Sequence, residues 1–124
     1  AYTSFDETVY MLQLPTDKPD LFNKGLLVLE DWAHNVALED EEIEKERGVI
    51  IEEWRLGLGA NERMRQKYFP VLLKGSRYAE RLPIGKKEVV EKCNPQLLRD
   101  FYKDWYRTDL MAVVVVGDVD VAES

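Results

Sequence analysis

Hydrophobic and polar positions nearly alternate at the start of the chain and then change to a helical spacing. Residues 1–14, AYTSFDETVYMLQL, carry β-branched and aromatic residues near every second position and are followed by Pro15. This pattern predicts one long strand over residues 1–14. Over residues 18–35, apolar residues recur three and four positions apart, which predicts an amphipathic helix.

Two further helices are indicated by the residues at their ends. An acid cluster at the start of residues 40–57 suits the positive end of a helix dipole, and a glycine-rich stretch follows that segment. Asn61 is the expected N-cap of a helix over residues 61–73, which Pro70 should kink or end. The middle of the chain is therefore predicted to be helical.

The last third of the chain carries a clear helix start and a second strand pattern. Asn94 suits an N-cap and Pro95 the first helical position, which predicts a helix over residues 95–105. The continuous β-branched run in DLMAVVVVG predicts an interior strand over about residues 110–117. No repeat, low-complexity tract or interdomain linker interrupts the sequence. We expect a single α+β domain, or part of one, over residues 1–124.

Composition narrows the classes of partner. The net charge of −7 and the pI near 4.8 argue against binding to nucleic acid or to an anionic membrane surface. A lone cysteine, Cys93, excludes an internal disulfide and a thiolate zinc site. No apolar stretch approaches the roughly 20 residues that span a bilayer. Because the chain opens without Met inside a strand pattern, we expect a processed chain, a fragment or a trimmed chain.

The stretch ERGVIIEEWR holds the candidate chemistry. Glu46 and Glu53 lie seven residues apart, so on a helix they point within about 20° of each other. They are bracketed by Ile50 on one side and Val49 on the other. A carboxylate at an apolar border is costly unless it meets an Arg or Lys, backbone N–H groups or a metal ion. Periodicity alone leaves both an ion pair and a metal site open.

Four stretches in order resemble the pitrilysin/insulinase family of zinc metallopeptidases, the group with an inverted HxxEH motif: AYTSFDETVY, ERGVIIEEWR, RYAERLPIG and LLRDFYKDWYRTDLMAVVVVGDVD. The resemblance covers almost the whole chain. Its most specific parts are the N-A-x-T-S-x-D-x-T strand, present here from its Ala onward, and the E-x6-E pair. It implies a fold of the pitrilysin and processing-peptidase type, with a mainly antiparallel sheet packed against several helices. It also implies a zinc endopeptidase or oligopeptidase that hydrolyses extended peptides.

The resemblance also implies roles for individual residues. In this family two histidines of HxxEH and a later glutamate hold the zinc, which makes Glu53 the metal ligand and Glu46 the acid behind it that orients the site. The glutamate of HxxEH is the general base. The strand at Ala1, Tyr2 and Thr3 would pair with the backbone of the peptide substrate at a sheet edge. A second homologous half or subunit would close a chamber around that peptide.

One departure from the family pattern is large. The chain has no HxxEH, and its one histidine, His34, is expected to be a surface residue or a partner of a helix C-terminus rather than a ligand. The chain alone is therefore not expected to bind catalytic zinc or to cut peptides. We expect the missing motif a short distance upstream of Ala1 in the full-length parent. The alternative is a non-catalytic peptide-binding or assembly subunit of the same fold, whose parent never had the motif.

Overall fold

The computed structural model describes residues 1–120. Within this range the chain forms a short hairpin, five α-helices and two 3₁₀ helices. In chain order the elements are β1 Tyr2–Thr3, β2 Thr8–Val9, α1 Pro19–His34, α2 Asp40–Leu56, α3 Ala60–Leu72, the 3₁₀ helix Arg77–Glu80, α4 Lys87–Lys92, α5 Pro95–Trp105 and the 3₁₀ helix Thr108–Leu110. None of the described helices is long and apolar enough to cross a bilayer.

The described backbone divides into two compact units. The first comprises Ala1–Val9 and Glu39–Pro95, and it holds the hairpin together with α2, α3 and α4. The second comprises Tyr10–Leu38 and the described residues from Gln96 onward, and it holds α1 and α5. The prediction of one partial domain stays a prediction.

Local signals account for helix α2, which carries the candidate acids. Its first turn holds Asp40, Glu41 and Glu42, and its last turn holds Arg55, so the charges at both ends complement the helix dipole. Ile43 is its most buried side chain, at 8% exposure. The acids of the first turn therefore stabilise the helix, and the burial of Ile43 anchors it near its start.

Helix α3 differs from its prediction at both ends. It begins at Ala60 with Gly59 as the N-cap, so the expectation of Asn61 at that position is wrong. A glycine cap has no side chain and leaves no polar signal in the sequence. Pro70 lies inside the helix, which continues to Leu72. A proline so close to the C-terminal end removes one hydrogen bond without ending the helix.

The hairpin replaces the long strand that was predicted over residues 1–14. β1 and β2 pair antiparallel, with Tyr2 opposite Val9 and Thr3 opposite Thr8. The chain reverses between them in a turn closed by a hydrogen bond from Ser4 N–H to Glu7 C=O, 2.8 Å. An alternating pattern cannot distinguish one strand from two strands joined by a tight turn when the turn has no Gly or Pro.

The predicted strand over residues 110–117 is absent from the described chain. Thr108–Leu110 is a 3₁₀ helix, and the following valines are largely open to solvent, with Val116 at 91% exposure. An apolar run predicts burial, but a strand also needs a hydrogen-bonded neighbour. Within residues 1–120 the sheet contains β1 and β2 only. The fold is α+β with a small antiparallel sheet.

Candidate metal-ligating helix and substrate-binding hairpin

The acidic side chains of α2 fall into two groups. Four of its glutamates form ion pairs with a basic residue three or four positions later, at N to O distances of 2.7–3.1 Å: Glu41 and Glu42 with Lys45, Glu44 with Arg47, and Glu52 with Arg55. The side chains of Glu46 and Glu53 have no hydrogen bond or ion pair with any residue of the described range 1–120. The helix thus leaves two carboxylates available, and these are the two in the E-x6-E pair.

These two carboxylates share one face of α2, as the spacing predicted. Both side chains are exposed. Ile50 on one side of them is half-buried, whereas Val49 on the other side is 57% exposed. The acids therefore lie at the border of the buried stripe and face solvent in this chain, where hydration offsets the cost of an unpaired charge.

The position of Glu53 along α2 is electrostatically unfavourable for the helix. Glu53 lies in the last turn, and its carbonyl accepts a hydrogen bond from the N–H of Gly57 at 2.9 Å. The C-terminal end of a helix carries a partial negative charge, so a carboxylate here destabilises α2 by about 0.3–1 kcal/mol. Helix stability does not explain an acid at this position.

The donor chemistry of the described residues fits zinc in part. A carboxylate oxygen is a ligand that zinc accepts, and catalytic zinc takes three protein ligands. No group of three His, Cys, Asp or Glu side chains suited to a metal occurs within residues 1–120. His34 lies in the last turn of α1, where its Nε2 is 3.9 Å from Glu30 Oε1. The described residues therefore form no complete zinc site, and Glu46 and Glu53 are two unpaired carboxylates that could each supply one oxygen ligand.

A contact missed by the sequence reasoning fixes α2 against α4. The Arg47 side chain is 14% exposed, and it donates hydrogen bonds to the carbonyls of Val90 and, at 2.7 Å, of Cys93. Its Nε and Nη2 also donate to Glu44 at 3.0 and 2.8 Å. This pairing raises the pKa of Arg47 and lowers the pKa of the Glu44 carboxyl. The signal in the sequence was an arginine four residues after Ile43, inside the apolar stripe.

The hairpin register shows which backbone groups of β1 face outward. The N–H of Ser4 donates to the C=O of Glu7, so the adjacent residues Thr3 and Thr8 occupy a non-hydrogen-bonded position of the antiparallel ladder. The close side chains agree, since Thr3 Oγ1 lies 3.1 Å from Thr8 Oγ1. The N–H and C=O of Thr3 therefore point away from β2, while those of Tyr2 point toward it.

The turn of the hairpin is tied to the 3₁₀ helix Arg77–Glu80. Tyr78 Oη donates a hydrogen bond to Asp6 Oδ2 at 2.6 Å, and the rings of Tyr78 and Phe5 lie 5.0 Å apart. The hydrogen bond to Asp6, and after it the negative charge of Asp6, raises the pKa of the Tyr78 phenol. Sequence reasoning could not find this contact, because 72 residues separate its partners.

Profiles of known families match both ends of the chain. Residues 1–69 match insulinase, peptidase family M16, and residues 92–124 match the peptidase M16 inactive domain. The first match covers 69 of 124 residues, which is more than half of the chain.

Named relatives are similar over nearly the whole chain. A zinc protease PQQL-like of Arabidopsis thaliana is 40% identical over 118 residues, which are 95% of this chain and 12% of that protein. A probable zinc protease PqqL of Escherichia coli (strain K12) is 40% identical over 124 residues, 100% of this chain and 13% of that protein. The chloroplastic stromal processing peptidase of Oryza sativa subsp. japonica is 29% identical over 124 residues, 97% of this chain and 10% of that protein. The chain therefore spans 10–13% of the length of these relatives.

A solved structure has the same fold. The crystal structure of the first half of the periplasmic protease PqqL from Escherichia coli superposes with a TM-score of 0.92 at 40% sequence identity, covering 98% of this chain and 26% of that one. The resemblance read from the ordered motifs is confirmed. The chain belongs to the insulinase family of peptidases, family M16.

Proposed function

We propose that the chain is part of a zinc-dependent endopeptidase that hydrolyses extended peptides. In this proposal it contributes Glu53 as a zinc ligand, Glu46 as the acid that orients the site, and the edge of β1 as the strand on which the peptide binds. The relatives named zinc proteases support this class of activity. The remaining parts of the site come from sequence outside these 124 residues.

One observation carries the assignment of Glu53. Four other glutamates of α2 have a basic partner, whereas Glu46 and Glu53 have none within the described residues. An acid in the last turn of a helix is unfavourable, so its free carboxylate is better explained by a cation supplied from elsewhere. Zinc, when bound, supplies a Lewis acid that polarises the scissile carbonyl and activates water.

Glu46 supports the site without being a ligand in this proposal. It lies two helical turns before Glu53 on the same face, so its carboxylate can accept a hydrogen bond from a histidine ligand and fix the orientation of that ring. The two histidines and the general base would come from an HxxEH segment that these 124 residues do not contain. A second homologous half would close the chamber around the peptide.

The hairpin register supports β1 as the substrate strand. The outward N–H and C=O of Thr3 are free to pair with an extended peptide. Because the direction of the backbone groups alternates from one residue to the next along a strand, those of Ala1 point the same way as those of Thr3. Tyr2 would contribute its side chain, which is 48% exposed, rather than its backbone. Backbone pairing binds extended peptides with little sequence preference.

We also infer that the complete domain has the larger antiparallel sheet that the sequence predicts. Val113 and Val116 lie in a strand-like run and are 73% and 91% exposed in this chain. Apolar surface of this kind is removed from water when neighbouring strands cover it. The run over residues 110–117 would then be one of its strands.

The proposal is tested on the full-length protein. It should hold about one zinc per chain and cleave an extended peptide, and a chelator should remove both properties together. A protein that binds the peptide without zinc and without cleavage would support the non-catalytic subunit instead.

A further inference from the structure

Tyr78 joins two parts of the chain that are far apart in sequence. Its phenol donates to Asp6 Oδ2 at 2.6 Å, and its ring packs on Phe5 with the centroids 5.0 Å apart. Both partners lie in the four-residue turn between β1 and β2. The contact therefore acts on the turn that sets the direction of β1.

The tyrosine is itself held by a capped turn. Ser76 precedes the 3₁₀ helix, and its Oγ accepts a hydrogen bond from the N–H of Tyr78 at 3.0 Å. This cap fixes the backbone from which the phenol projects. The hydrogen bond to Asp6 thus links the hairpin turn to a locally ordered segment.

The hairpin needs such support because it is very short. Each strand has two residues, and an isolated two-stranded hairpin is marginally stable in water. Movement of the turn would change the direction of the outward N–H and C=O of Thr3. A peptide that pairs with this edge requires those two groups in a fixed register.

We propose that Tyr78 is a positioning residue for the peptide substrate, holding the hairpin turn through Asp6 so that β1 presents Thr3 in register for backbone pairing. This inference rests on the proposed role of β1 as the substrate strand. Tyr78 acts on binding of the extended peptide and not on the metal or on bond cleavage. Its loss should therefore raise KM and leave kcat and zinc content unchanged.

Tyr78→Phe in the full-length protein removes the hydroxyl and keeps the ring on Phe5. We expect KM for an extended peptide to rise about threefold, the size of effect that one solvent-accessible hydrogen bond gives. Tyr68→Phe is the matched control, because the Tyr68 hydroxyl has no hydrogen bond within residues 1–120 and its ring contacts Phe69. Equal KM values for the two variants would overturn the inference.

A double-mutant cycle separates the specific contact from a general loss of stability. Asp6→Ala should raise KM as much as Tyr78→Phe, and the double variant should be no worse than either single variant. Asp6→Asn, which retains an acceptor oxygen, should lie near wild type. KM increases that multiply in the double variant would contradict a shared contact.

Thr3→Pro distinguishes failure of this inference from failure of the proposed function. It removes the outward N–H while sparing the groups of Tyr2 that pair with Val9, and it should raise KM. If Thr3→Pro raises KM and Tyr78→Phe does not, the inference is wrong and the proposed function stands. If a zinc-containing, active protein is indifferent to Thr3→Pro, β1 is not the substrate strand and the role of Tyr78 fails with it.

Discussion

Shortening Ile43 tests which face of α2 is buried. Ile43 is 8% exposed and is the one buried hydrophobic side chain within residues 1–120. It lies three residues before Glu46, so its burial sets the rotation of α2 and hence the direction of both candidate acids. Replacing it with Val removes one methylene, and replacing it with Ala removes three carbons.

The magnitude follows from the surroundings of this side chain. Losing one buried methylene costs about 1 kcal/mol. For Ile43→Ala we expect about 2–3 kcal/mol, the low end of the range for such substitutions, because the side chain is 8% exposed and not fully enclosed, so the site can relax in part. The two variants should therefore differ by about 1–2 kcal/mol in the free energy of unfolding.

Urea unfolding of this 124-residue chain measures the difference as a shift of the midpoint at constant slope. The matched control is Val49→Ala, which shortens a 57% exposed aliphatic side chain on the same helix and should change stability by less than about 0.5 kcal/mol. Equal losses for Ile43→Ala and Val49→Ala would refute the assignment of the two faces, and with it the placement of Glu46 and Glu53.

Two further predictions concern stability. Pro70→Ala restores the N–H that can bond to the carbonyl of Gln66 within α3 and should stabilise the chain by about 1–3 kcal/mol, seen as a higher melting temperature; a lower one would contradict the account. The hydrogen bond from Arg47 lowers the pKa of the Glu44 carboxyl. The pair therefore stabilises the folded chain at pH values above 4.5, the ordinary pKa of this carboxyl, and this contribution is lost as the pH falls through the lower pKa of the folded state. Wild type should therefore lose more stability than Glu44→Gln on acidification below pH 4.5, and parallel curves of urea midpoint against pH would show that the pair contributes nothing.

Elements with strong local signals were predictable from sequence. α2 was predicted over residues 40–57 and extends over Asp40–Leu56, because its acidic first turn and its apolar period both lie within the helix itself. α4, by contrast, has six residues, too few for a periodic pattern, and is held by Arg47 from another helix. Contacts of that kind leave no local trace in a single sequence.

The two predicted strands are absent from the described residues for a related reason. The run over residues 110–117 has the composition of a buried strand, but composition says nothing about the partner that a strand must pair with. In the described chain this run has no such partner. A hydrophobic pattern predicts that a segment prefers to be buried. Whether that segment forms hydrogen bonds with a neighbouring strand depends on the rest of the protein.

The candidate site likewise has a part that the sequence predicted and a part that only the structure shows. Periodicity placed Glu46 and Glu53 on one face, and the structure adds that they lack the ion pairs made by the neighbouring glutamates of the same helix. Their separate roles depend on the family resemblance and remain proposals. The contacts of Tyr78 and Arg47 span 72 and more than 40 residues, and only the folded chain brings these partners together.

The zinc affinity of the full-length protein with Glu53→Gln, compared with Glu52→Gln, tests the central claim most directly. The two glutamates are adjacent in the same helix, but Glu52 is paired with Arg55 at 2.8 Å and Glu53 has no partner within residues 1–120. We predict that Glu53→Gln weakens zinc binding by more than about a hundredfold, Glu46→Gln by about 10–100-fold, and Glu52→Gln hardly at all. Wild-type zinc affinity in Glu53→Gln would contradict the assignment of this carboxylate as a ligand.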